Sequence, residues 1–316
     1  MSKLLANERN ARITAALGAL TIAFSGIFVR LSHSSPSTAA IFRCAYALPL
    51  LALLALIEDR RFGARALRER RVPLLAGIFF AIDLVLWHHS IEDVGAGLAT
   101  VLANIQVVAV PLVAWLLLSE RPTRRLLSAL PFAVVGVVLI SGVIDSDAAY
   151  GANPTAGAVF GVGAGAAYVG ALLLLRRGGA DLRRPAGPLF DMTFSATLAA
   201  VAIGVVWGPT RFVPSWPSAG WLMLLALTSQ VLGWLLITIS LPRLPAAVTS
   251  LLLMIQPVGS IIFAALILSE RPSAIQLGGV LLVLAAVVFA NLSVGVSETD
   301  HVPVPGSAVP RRARLR

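Results

Sequence analysis

Residues 244–273 read LPAAVTSLLLMIQPVGSIIFAALILSERPS, and residues 94–123 read VGAGLATVLANIQVVAVPLVAWLLLSERPT. The two stretches align without a gap at a constant offset of 150, which pairs Gln106 with Gln256 and Glu120 with Glu270. They share Ala96/Ala246, Leu102/Leu252, Ile105/Ile255 and the whole tetrapeptide Ser-Glu-Arg-Pro. Apolar composition alone would make some positions agree. It would not place one Gln and a polar end at the same points of both copies. Each copy is a run of over twenty apolar residues with a Gln near its middle, which predicts a membrane span present in both halves of a duplicated chain.

The composition agrees with that reading. Of 316 residues, 58% are hydrophobic and 13% charged, against roughly a quarter charged in a soluble domain. Ten spans are predicted, at about 13–31, 36–57, 72–91, 95–118, 125–143, 155–175, 188–208, 220–240, 245–268 and 275–294. The fold class expected is therefore an all-α polytopic membrane protein, with two five-helix repeats over 13–143 and 155–294. A polar, Pro-containing and basic tail over 295–316 is expected to be disordered. Lys3, Arg9 and Arg12 precede the first apolar run, and no small-residue cleavage site follows, so that run reads as a retained span.

The net charge of +10 could suggest a nucleic-acid partner, but the basic residues lie in short segments between apolar runs. With the N-terminus inside, 21 of the 25 Lys and Arg fall in inner segments, three in outer loops, and Arg43 within span 2. The positive-inside bias then puts both termini in the cytoplasm, in a plasma or inner membrane. Because five is odd, the second half enters the membrane from the opposite side. That is an inverted-topology repeat, an architecture associated with alternating access around a midplane site. Pro122 and Pro272 read as first-turn residues of the helices that follow.

Ten spans in two halves, each fourth span running into Ser-Glu-Arg-Pro, resemble the EamA-type branch of the drug/metabolite transporter superfamily. The resemblance covers about 13–294 and is strongest at IQPVGSIIFAALILSERPSAIQLGGVLLVLAAVVFAN. It implies a transporter of small metabolites, since characterised members include amino-acid and metabolite exporters and relatives carry nucleotide sugars and triose phosphates. Arg43 matches an Arg that the family often has early in its second span. Gln106-Val107 departs from the Gln256-Pro257 of the second copy.

Polar residues inside spans are the candidate site. Gln106, Gln230 and Gln256 all fall near mid-membrane at 1.5 Å per residue, Gln106 ~16 Å below the outer face. They could line a solute path or bond across packed helices for ~1 kcal/mol. Arg43 and Asp83 both lie ~11 Å below the outer face. They read either as a structural ion pair or as a carboxylate anchor (Arg43) and a proton carrier (Asp83). His88, beside Trp87 and His89 near the outer end of span 3, reads as an interfacial cap or a proton relay. Tyr168 and Trp234 are deep enough to stack on a ligand or to pack the core. Asp191 is close in sequence to Arg183 and Arg184 and reads as their partner.

No metal site is expected, because Cys44 is the only cysteine and the four histidines do not cluster. No cofactor is expected, and without a Walker A sequence ATP is not the direct energy source. No enzyme motif, neither His-Glu-x-x-His nor Gly-x-Ser-x-Gly, is present. The function expected is a secondary transporter exporting small amphipathic metabolites such as amino acids. A lipophilic-drug exporter and a nucleotide-sugar or phosphate exchanger are alternatives, the latter disfavoured because Arg43 is the only mid-depth cation. A non-transporting membrane scaffold is the alternative from another class. The partners implied are a small-molecule solute, the lipid bilayer, a coupling proton and a second copy of the chain, with no nucleic acid.

Overall fold

The structure, a computed structural model, describes residues 2–106, 124–146, 149–179, 181, 183–240 and 252–291. The rest of the fourth span, the first Ser-Glu-Arg-Pro turn, the start of the ninth span and the tail lie outside them. Among the described residues every regular element is helical: α1 (Ser2–Ala23), α2 (Ser25–Ser32), α3 (Pro36–Ala45), α4 (Leu48–Phe62), α5 (Leu67–Val94), α6 (Ala96–Ala103) and α7 (Arg124–Ile140). There follow α8 (Pro154–Gly178), α9 (Ala186–Val206), α10 (Ser218–Leu225), a π-helical segment (Ala226–Gly233), α11 (Trp234–Ser240), α12 (Ile255–Ile267) and α13 (Ala274–Asn291).

Among the described residues, six helical stretches are long and apolar enough to cross a membrane, and three shorter apolar helices accompany them. A helix satisfies its backbone N–H and C=O groups internally, which hydrocarbon demands. Helix ends run past the predicted spans where charged arms continue the ladder: α4 reaches Phe62 and α5 begins at Leu67. The apolar run marks the hydrocarbon layer, not the end of the hydrogen-bonded helix.

Among the described residues five spans are interrupted where the sequence predicted continuous helices, the fourth at Asn104–Ile105 and the ninth at Met254 as well as the three that follow. α1 gives way to α2 at Phe24, and α3 to α4 at Tyr46 and Ala47. The second break has a local cause, for Pro49 has no N–H to offer the Ala45 carbonyl. The third interruption is the π-helical segment between α10 and α11. Wide turns of this kind are rare and shift the facing of the side chains beyond them.

α5 packs along α8 and α9, α7 along α13, and α6 against α8 and α12. α1 lies on α11 and α12, while α9 contacts both α3 and α4. The α5–α9 contact depends on a missing side chain, since a Cβ at Gly77 would land on the Ser195 Oγ and the Met192 carbonyl.

Two carboxylates fasten helix starts at different places in the bundle. Glu270, in the turn after α12, accepts from the Ala96 N–H (2.8 Å) and the Gly97 N–H (3.1 Å) of α6. Glu58, near the end of α4, accepts from the Ala186 N–H (2.9 Å) and the Gly187 N–H (2.8 Å) of α9. Both carboxylates meet N–H groups that have no intrahelical partner and lie at the positive end of a helix dipole. Gly95 supplies the approach to α6 at φ 91°, where a side chain would also strike Glu270. Burial raises the Glu270 carboxyl above its ordinary pKa, opposed by the two backbone N–H bonds and by the charge of Arg30.

Pro272 lies one residue ahead of the N-cap of α13, not in its first turn. The cap is Ser273, whose Oγ accepts from the Gln276 N–H while Gln276 Oε1 accepts from the Ser273 N–H, a capping box. The same Gln276 side chain ties the Tyr150 backbone and the Ile140 carbonyl at the end of α7.

Replacing Glu270 with Ala leaves two α6 donors unpaired, so stability should fall by ~2 kcal/mol, and Glu270→Gln should fall between Ala and wild type. Thermal unfolding of the purified protein in detergent measures this. A midpoint unchanged in Glu270→Ala would show that the clamp contributes nothing.

Candidate functional site

A polar cluster lies inside the apolar bundle where α3, α5, α9 and the π-helical segment meet. Arg43 in α3 is 3% exposed, Asp83 in α5 is 6%, and Thr193 in α9 and Gln230 in the π segment are fully buried. Arg43 Nε donates to Gln230 Oε1 at 3.0 Å, and Gln230 Nε2 donates to Thr193 Oγ1 at 3.2 Å. A guanidinium has no acceptor, so the first bond requires the amide oxygen toward Arg43 and hence the amide nitrogen toward Thr193.

Aromatic faces enclose this chain of bonds. The Arg43 guanidinium carbon stands 5.7 Å from the Trp87 ring centroid and 6.0 Å from that of Phe80, within range of cation–π attraction. Phe80 meets Trp234 edge-on at 5.7 Å, and Tyr168 lies 5.9 Å from Trp234. Arg43, Gln230, Tyr168 and Trp234, chosen separately from the sequence, thus stand in one wall-and-cluster arrangement.

The Arg43–Asp83 ion pair does not form. The guanidinium turns to Gln230, and Asp83 is its neighbour only through space. The cause is the facing of Gln230, which the π-helical segment presents to α3 as an uncharged acceptor. Beyond the Nε bond, the Arg43 terminal amino groups have no hydrogen-bond partner among the described residues, and Asp83 likewise accepts no hydrogen bond from them.

His88 is enclosed by protein. It is 1% exposed, and its Nδ1 lies 3.1 Å from the Pro36 carbonyl at the start of α3. A carbonyl only accepts, so Nδ1 carries the proton, and Nε2 is a buried acceptor with no hydrogen-bond partner among the described residues. Its neighbour His89 instead stacks on Trp207, with centroids 4.8 Å apart.

Gln106 and Gln256 do not join the cluster's hydrogen bonds. Both are half-buried, and neither side-chain amide bonds to a described residue. An outward-facing apolar depression lined by Ala202, Ile203, Val206 and Trp207 lies at the far end of α9. Its lining is mostly apolar.

Asp191 takes partners that the sequence did not suggest. Its Oδ1 accepts from Arg70 Nη2 at 2.8 Å and Nε at 3.1 Å, and its Oδ2 lies 2.8 Å from Arg65 Nη1. Arg183 and Arg184 face Asp181 instead. Chain proximity misled here, because α9 places Asp191 over the start of α5. Arg183 holds the Asp181 carboxyl down at about 2. Among the described residues no group of His, Cys, Asp and Glu could hold a metal ion.

Apolar membrane-length helices around a buried polar cluster define a multi-pass membrane protein. The model of the EamA-like transporter family matches residues 10–142 and again 155–292. The chain belongs to the EamA-like transporter family, and it is a membrane transporter. It is 23% identical over 306 residues to an uncharacterized transporter of Synechocystis sp., covering 87% of this chain and 91% of that one. A protein of known crystal structure superposes with a TM-score of 0.58 at 12% identity, over 90% of this chain and 97% of the other. That likeness concerns the fold alone.

Removing the Gln230 amide should be far costlier than removing an amide that bonds to nothing described. Gln230→Leu leaves a buried guanidinium N–H and a buried hydroxyl unpaired, at ~2–4 kcal/mol. Gln256→Leu should cost under ~1 kcal/mol. Denaturant unfolding of the two variants in the same detergent compares them; equal losses would contradict the assigned bonding.

Proposed function

We propose that this chain is a secondary transporter that exports small carboxylate-bearing amphipathic metabolites, amino acids foremost, by alternating access. The observation that carries the reading is Arg43. It is a buried guanidinium flanked by Trp87 and Phe80, with one N–H tied to Gln230 and its terminal amino groups unpaired among the described residues. Such a fork matches the two oxygens of a carboxylate. Burial makes the match selective, because an unpaired charge there is costly and a ligand carboxylate relieves it.

In this reading Asp83 carries the coupling proton, being a buried carboxyl without a hydrogen-bond partner among the described residues and within electrostatic reach of Arg43. His88 is the second candidate for proton transfer, through its unpartnered Nε2. Tyr168 and Trp234 supply an apolar wall for the solute's side chain. Gln106 and Gln256 extend the path on the fourth and ninth spans.

The inverted repeat is part of the proposal. Its supports are the two separate family matches and a pattern of contacts that survives exchange of the halves. α5 on α8 has its counterpart in α10 and α11 on α2 and α1, and α1 on α12 in α8 on α6. The two carboxylate clamps, Glu270 on α6 and Glu58 on α9, join helices of different halves. The charge bias of the loops supports both termini on the cytoplasmic side of a plasma or inner membrane. A homodimer is compatible with this arrangement and is not required by it.

Counterflow in proteoliposomes with a panel of labelled amino acids tests the function. Wild type should exchange at least one of them, and Arg43→Gln should weaken its apparent affinity ~10–100-fold, the worth of a charge-assisted bond. Asp83→Asn should retain exchange yet lose its response to an imposed pH gradient. Folded wild type that moves no carboxylate-bearing solute would end the proposal.

A further inference from the structure

We infer that Gln230 and Thr193 are not solute contacts but positioning residues, which restrict Arg43 to binding a carboxylate end-on through its two terminal amino groups. The inference rests on the proposed function for the identity of the ligand. The geometry it uses is independent of that reading.

A guanidinium can meet a carboxylate in two planar ways, side-on through Nε and the nearer amino group, or end-on through both amino groups. In this protein the side-on edge is occupied. Gln230 Oε1 holds Nε at 3.0 Å, and Thr193 Oγ1 in turn holds the Gln230 amide nitrogen at 3.2 Å. Gln230, Thr193 and Arg43 are buried at 0%, 0% and 3% exposure, so water does not compete for these bonds. The bonded edge fixes the plane of the guanidinium, and Trp87 and Phe80 limit its tilt at 5.7 and 6.0 Å. Two N–H groups on each terminal nitrogen remain, a fork whose direction is set before a ligand arrives. Preorganisation of this kind strengthens binding by reducing the ordering that binding requires.

The π-helical turn has a role in this arrangement. It carries Gln230 and meets α1 through the close approach of Gly233 to Ile22 and Gly18. A regular α-helical turn over Ala226–Gly233 would present a different side chain to α3. Thr193 sits on α9, the helix fastened by Glu58, so the tether links α3, α9 and the π segment at one level.

Arginine side-chain NMR on the full-length, ¹⁵N-arginine-labelled protein in nanodiscs tests the inference, with Arg43→Lys identifying the Arg43 signals. The probes are acetate against acetamide and L-leucine against L-leucinamide. In wild type and Thr193→Ser, the carboxylates should shift the Arg43 terminal-amino signals while the Nε–H signal stays exchange-protected and unmoved. In Thr193→Val the Nε–H should lose protection, and carboxylate affinity should drop about tenfold, the worth of one hydrogen bond to a charged group. Three results would overturn the inference: a carboxylate that displaces the Nε–H bond, a Thr193→Val protein that matches wild type, or Arg43 signals that ignore both carboxylates. Counterflow of L-leucine in parallel separates the two failures. Transport that continues with Arg43 unmoved sinks the positioning role alone. An unfolded Thr193→Val is covered by the wild-type comparison of Nε against terminal-amino shifts, which needs no variant.

Discussion

A guanidinium in the middle of an apolar bundle must find acceptors, and that requirement shapes the centre of this protein. Arg43 is always charged, so it cannot escape by losing a proton as a buried Lys might. Its Nε–H goes to Gln230, whose amide passes the demand on to Thr193. Three helical stretches are thereby held in register by two hydrogen bonds in a low-dielectric interior, where such bonds are strong and their loss is costly. Phe80 and Trp87 take up the faces of the guanidinium. What the protein does not supply among its described residues is a partner for the outer fork, and that gap is the chemical argument for an anionic solute.

The same constraint appears at the helix ends. A helix that begins inside or at the edge of the bundle exposes N–H groups that nothing in its own ladder can satisfy. Glu270, from the turn after α12, and Glu58, from α4, each supply two acceptor oxygens, to α6 and α9 respectively. These contacts settle backbone groups and also tie elements far apart in sequence. Around α9 the tie is reinforced by Arg65 and Arg70 on the fully buried Asp191. An ion cluster of this kind is weak evidence for stability, since desolvation offsets much of the attraction. It does fix where the start of α5 sits against α9.

Much of the fold was legible because membrane spans are long, apolar and punctuated by charge. The repeated Gln and Ser-Glu-Arg-Pro marked related spans, and the periodicity-free apolar runs located the helices to within a few residues. The interruptions were not legible. Ser25-Gly26 follow Phe24, and the π segment over Ala226–Gly233 carries Thr228-Ser229-Gln230 and Gly233, but residues of these types also stand in uninterrupted spans. Pro49 was a usable signal for the α3–α4 break. For the site, burial depth selected Arg43, Asp83, Gln230, Tyr168 and Trp234, because depth follows from counting residues. Pairing did not follow from depth. Arg43 with Gln230, and Asp191 with Arg65 and Arg70, depend on how helices rotate against each other, and one sequence holds no record of that rotation. Thr193 went unnoticed for the same reason, since a Thr in a span usually bonds to its own helix, as Thr197 does to the Thr193 carbonyl. Glu270 was visible as half of a repeat, but its partners on α6 were not.

Alternating access along a path through the repeat interface is the central claim, and the lone cysteine makes it directly measurable. In a Cys44→Ala background, Gln256→Cys places one thiol at a half-buried position expected near mid-membrane. A membrane-impermeant maleimide would be applied to right-side-out and to inside-out vesicles, with and without a transported amino acid. The account predicts labelling from both sides, with the ratio of the two rates changed by the solute. Labelling confined to one side under every condition, in protein that is folded and transports, would contradict it.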